Sequence, residues 1–131
     1  MSKTIKALLM LARLLGLIQI VVGLAIWFGR KGTLVAFHSA AGSLFVLVVW
    51  IVALFALFAL SHRAVPLITL LVGGLLLWFG MAQTTLLVGP AHWAVRVAHL
   101  LIGLATLGLV EALAKAVRLH AATQDAARAT R

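Results

Sequence analysis

The chain contains no cysteine, and among its 131 residues only Glu111 and Asp125 are acidic. Without cysteine there is no disulfide frame, no thiolate chemistry, no iron–sulfur cluster and no c-type haem attachment. So few acids do not fit a soluble domain of this size, whose surface must carry many charges of both signs. What the sequence holds instead is apolar: 65% of its residues are hydrophobic, and the formal net charge is +9. The basic residues sit at the ends of apolar runs, not in a patch interleaved with aromatics. That pattern excludes nucleic acid as the expected partner and points to the edges of a membrane.

A helix needs about 20 mostly apolar residues to cross a bilayer. Four runs qualify, at about 8–28, 34–60, 65–88 and 91–117. The first is too long for a cleavable signal peptide and lacks a small-residue cleavage site. Pro66 falls in the first turn of the third run, where a missing N–H is harmless. The connections are short, so consecutive helices are antiparallel neighbours. The expected fold is all-α: an integral membrane four-helix antiparallel bundle forming one domain over residues 1–118. A basic tail over 119–131 continues the last helix and frays.

Lys3, Lys6, Arg13, Arg63, Lys115, Arg118, Arg128 and Arg131 fall on one side of this bundle. Arg30, Lys31 and Arg96 fall on the other. The excess places both termini in the cytoplasm of a multi-pass cell-membrane protein. Trp27, Trp78 and Trp93 then lie near the outer interface. The pair Glu111 and Lys115 has helical i,i+4 spacing with the acid first, so an interfacial ion pair is expected there.

The chain also repeats itself. Gly23-Leu24-Ala25-Ile26-Trp27-Phe28-Gly29 and Gly74-Leu75-Leu76-Leu77-Trp78-Phe79-Gly80 share five of seven residues. Each is followed by a helix with a histidine four residues before a glycine, His38/Gly42 and His99/Gly103. This reads as two repeated helical hairpins, which would bring His38 and His99 face to face across the bundle in its outer half.

An ionisable side chain inside a membrane is costly and marks a functional site by default. Haem chemistry uses this pattern: the iron takes axial imidazoles on opposite faces of a flat ring. Glycine one turn after each histidine shares its helix face and would let the ring approach the backbone. Zinc fits less well, because two imidazoles leave a tetrahedral site incomplete. The haem propionates need cations, and Arg96, Arg30 and Lys31 lie on the outer side. His92, seven residues before His99 and on roughly the same face, is a second candidate for the ligand or a propionate donor. Hydrogen bonding of His38 and His99 to neighbouring helices is the alternative reading. Gln19 and Gln83 are expected to bond between helices, with a contact to a haem edge or a quinone as the other role.

These residues resemble one four-helix half of the haem A synthase family, over roughly Arg13 to Val117. Each half in that family places haem-ligating histidines on its second and fourth helices, in the outer part of the membrane. The separation here, 99 − 38 = 61, is similar. The resemblance implies a single haem b held by His38 and His99, with Gly42, Gly103, Arg96 and His92 around it. The family carries a glutamate three residues before the helix-two histidine of its substrate half. Val35 stands at that position here, so oxidation of a haem methyl is not expected. The expected function is electron transfer through a bis-histidine haem, alone or as a subunit of a respiratory or photosynthetic complex. Its partner would be a redox protein or a quinone. A cofactor-free accessory subunit packing through its glycine faces, in a homo-oligomer or larger complex, is the alternative. A small transporter is a third, disfavoured because no carboxylate lies at the middle of a helix.

Overall fold

A computed structural model describes residues 3–30 and 32–130. Lys31 and Arg131, both counted among the basic residues above, lie outside the described residues. Within them the chain forms α1 (Lys3–Trp27), α2 (Thr33–Ala59), α3 (Ala64–Ala82) and α4 (His92–Ala129). All four are long and apolar enough to cross a membrane. The chain is thus an all-α protein whose helices are suited to a lipid bilayer.

The helix ends follow local chemistry. α1 stops in a Schellman motif: Gly29, at φ 96°, donates to the Ile26 carbonyl, and Arg30 donates to that of Ala25. Only glycine enters that left-handed conformation without steric cost. α3 stops at Ala82, six residues before the end of its apolar run. The reason is polar. Thr85 bonds the Ala82 carbonyl twice, through its N–H at 3.0 Å and its hydroxyl at 2.8 Å. The hydroxyl competes with the helical ladder, and Gly89-Pro90 reverses the chain. α4 is continuous through the expected frayed tail to Ala129. At 38 residues it is about 57 Å long, so it projects well beyond a hydrocarbon core of about 30 Å.

Each helix packs on its chain neighbours, α1 closes against α4, and α2 touches α4 across the diagonal. α1 and α3 do not touch. The outward faces are apolar, with Leu17, Phe58, Leu71 and Leu101 all exposed. This inverts the pattern of a soluble bundle, as contact with lipid requires.

Packing is uneven along the bundle. On α1 nothing is buried beyond Gly16, and on α2 nothing before Phe45. On α3 nothing is buried beyond Leu76, and on α4 only Val95 precedes Thr106. The close-packed core therefore fills the end that carries the termini, around Leu9, Val49, Ala53, Val110 and Leu113. The end that carries the 28–32 and 83–91 connections is loosely packed.

Two polar contacts lock the packed end. The Trp50 indole N–H donates to the Leu70 carbonyl at 3.1 Å, and the indole lies against Gly73. A Cβ at Gly73 would come within 2.8 Å of Trp50 Nε1, so glycine is required for this approach. Glu111 does not pair with Lys115. Its carboxylate takes a bidentate grip from Arg13 on α1, at 2.6 Å and 2.8 Å. The planar guanidinium matches both carboxylate oxygens at once, which a lysine one turn along the same helix cannot do. Sequence spacing shows only partners on the same helix, and this partner is 98 residues away.

Candidate functional site

The loosely packed end holds both motif histidines. His38 lies near the start of α2 and His99 two turns into α4. Their ring centroids are 6.3 Å apart with planes at 64°. The imidazole opposite His38 is thus that of His99. His92 stands at the start of α4, where its Nδ1 is 3.2 Å from the Leu86 carbonyl in the 83–91 turn.

Each ring rests on a glycine of the neighbouring helix, and the two seats match. A Cβ at Gly23 on α1 would lie 3.2 Å from His38 Cε1; one at Gly80 on α3 would lie 3.2 Å from His99 Cε1. Spacing within one helix did not reveal these seats, because the glycine and its histidine belong to different helices. The motif glycines have other neighbours. Gly42 faces the end of the Gln19 side chain at 3.2 Å, and Gly103 faces Leu76 Cδ1 at 3.9 Å. So Gly42 and Gly103 admit a side chain from the adjacent helix, while Gly23 and Gly80 admit the imidazoles.

Gln19 does bond between helices. In the amide orientation that satisfies every partner, its nitrogen donates to His38 Nδ1 at 2.9 Å and to the His38 carbonyl at 3.0 Å. Its oxygen accepts from the Gly42 N–H at 3.1 Å. The His99 ring has no such partner: its Nδ1 is buried without a hydrogen bond. Phe79 flanks that ring, nearly parallel to it at a centroid distance of 6.2 Å.

Arg96 is exposed one turn before His99. With Thr84, Val88, Gly89 and His92 it lines an open depression of about 340 Å³. No acid pairs with Arg96 among the described residues. Nor does any group of three or more His, Cys, Asp or Glu converge there in a way that could hold a metal ion. A tetrahedral zinc centre, which takes at least three protein ligands, is therefore not built by these residues. Gln83 caps α3 at its C-terminal end.

Comparison with protein-family models, with curated proteins and with solved structures finds no match.

Proposed function

We propose that this protein is a membrane-embedded electron carrier whose redox group is one haem b, held between His38 and His99. The observation that carries the proposal is the 6.3 Å between the two imidazole centroids. A metal–imidazole bond is about 2 Å long. An imidazole ring atom lies about 1.1 Å from its centroid, taking ring bonds as long as the conjugated C–N bond of a peptide, about 1.33 Å. Two imidazoles that would hold one iron between them would have centroids about 6.3 Å apart. A macrocycle supplies the other four donors itself, so two protein ligands suffice where zinc would want more.

Three further features support this reading. Gly23 and Gly80 bring helix backbone up to both rings, which holds them in place. The helices around them are the loosely packed part of the bundle. Arg96, without an acidic partner among the described residues, lines an open depression at that end and would be free to meet a propionate. When bound, the haem would accept and release one electron. The chain would supply the two ligands, the apolar shell and the cation, which together set the potential. A quinone or a redox protein would exchange electrons at the end carrying the histidines. The excess of basic residues at the terminal end supports a cytoplasmic location for both termini, with the histidine end outside.

Constant sequence offsets support reading the two hairpins as repeats. Gly16 and Gly73, and Gly23 and Gly80, match at one constant offset between α1 and α3. His38 and His99, Gly42 and Gly103, and the buried pairs Val49/Val110 and Ala53/Ala114 match at another, between α2 and α4. This register pairs Gly23 with Gly80, whereas the heptapeptide similarity pairs it with Gly74.

A cofactor-free packing subunit is the second reading. It is favoured by the Gln19 bond, which satisfies His38 Nδ1 without any metal, and by a ring separation inside the range of aromatic pairs, about 4.5–7 Å. Purification from haem-supplied cells separates the two. The electron-carrier reading expects a Soret band that is lost on His38→Ala and kept on His92→Ala. A colourless wild-type protein would establish the packing reading.

A further inference from the structure

We propose that the face where α1 meets α4 is a pairing surface for a second copy of this chain, with Arg13 and Glu111 as its polar centre. The inference uses neither histidine and goes beyond the electron-carrier reading.

Arg13 lies two turns inside Lys6 on α1, and Glu111 one turn inside Lys115 on α4. Those lysines mark the membrane edge, so the ion pair sits about 5–11 Å within the apolar band. Charged groups at such depth almost always face a bundle interior or water. This pair faces outward: its two side chains keep 39% and 55% of their surface exposed. The surroundings are apolar. Met10 and Leu17 share the Arg13 face of α1, and Leu104 shares the Glu111 face of α4, all three exposed. An arginine alone snorkels to the headgroups, but this one is held by both carboxylate oxygens, and glutamate lacks the long stem that snorkelling needs.

A second copy covers the pair by symmetry. The ion pair bridges two neighbouring helices, so it runs across the membrane plane and not along its normal. A two-fold axis along the normal turns it end for end, and each guanidinium then meets the carboxylate of the other copy. Four alternating charges close into a ring. A partner helix carrying charge of one sign would match half of the pair and repel the rest.

The backbone beside the pair is open to this approach. Gly108 lies one turn before Glu111 on the same face, and nothing stands within 4 Å of an added Cβ there. Glycine weakens a helix. Each of the other helical glycines meets a side chain of its own bundle within 4 Å, so its small size is used inside the chain. At Gly108 the space is left for a neighbour from outside, and small residues at such positions let two helices come close.

The test uses the full-length protein in phosphatidylcholine vesicles. The chain has no cysteine, so one cysteine added after Arg131 carries a donor or an acceptor dye, and energy transfer is followed as the protein is diluted in lipid. The wild type is expected to show transfer above random proximity, rising linearly with the acceptor fraction, as a pair requires. Gly108→Leu adds bulk where its own chain leaves open space. It should keep its helicity and thermal midpoint and weaken pairing at least about tenfold. Arg13→Ala brings two carboxylates together and should weaken pairing as much. Arg13→Glu with Glu111→Arg rebuilds the ring and should restore most of it. Wild-type transfer no greater than random, which would leave the pair facing lipid or a different protein, overturns the proposal. So does pairing unchanged in Gly108→Leu, or a charge swap that pairs no better than Arg13→Ala.

Discussion

His38 and His99 share a motif but not an environment, and the difference sits on a neighbouring helix. Each ring is seated on a glycine whose added Cβ would press on Cε1 at 3.2 Å, a distance at which the ring must give way by tenths of an ångström. Gly23→Ala and Gly80→Ala should therefore each tilt one imidazole off the common axis and lower haem occupancy several-fold in a reconstitution titration. Gly108→Ala is the matched control, since nothing lies within 4 Å of its added carbon. It should leave occupancy unchanged and, by helix propensity alone, stabilise by up to about 1 kcal/mol. Equal effects at Gly23 and Gly108 would show that the seat has no role. The Arg13–Glu111 clamp makes a second prediction at this scale. The pair is exposed on both sides, so Arg13→Ala should destabilise the bundle by no more than about 1 kcal/mol in a detergent unfolding titration. The charge swap Arg13→Glu with Glu111→Arg should recover most of that loss.

Helix by helix, the sequence was legible wherever the information lay within a single helix. Four apolar runs predicted four helices, and Pro66 in a first turn and Gly29 at a helix end sit where their chemistry allows. Information shared between helices was not legible. The partner of Glu111 is on α1, and the seats of His38 and His99 are on α1 and α3, so no spacing rule along α2 or α4 exposes them. The end of α3 was missed for a different reason: the apolar run continues past Ala82, but one threonine hydroxyl outcompetes the helical ladder there. Trp50 illustrates the same limit: its N–H ties α2 to the Leu70 carbonyl, which lies on α3. Trp50→Phe should cost about 0.5–2 kcal/mol, the range of an interhelical hydrogen bond in a membrane. No change in unfolding midpoint would show that the indole contributes only its volume.

Across the whole molecule the packing divides into two ends with different tasks. The terminal end is dense and locked by Trp50 and Arg13, and it holds the helices in register. The other end is loose and carries the histidines and an unpaired Arg96. This division predicts that Leu113→Ala, in the dense end, costs about 2–5 kcal/mol in stability without displacing any redox group. The exposed last turns of α4 lie outside both ends. Truncation after Arg118 should leave stability within about 0.5 kcal/mol and the spectrum unaltered. Reporter fusions at residues 30 and 88 should read as external, and fusions at 62 and at the C-terminus as cytoplasmic.

The proposed electron carrier would hold one iron between His38 and His99. Low-temperature electron paramagnetic resonance of the oxidised protein, with iron counted per chain, tests it directly. The account predicts one iron per chain with a low-spin ferric signal, as two axial imidazoles impose. A high-spin signal, or a chain that carries no iron when haem is plentiful, would contradict it.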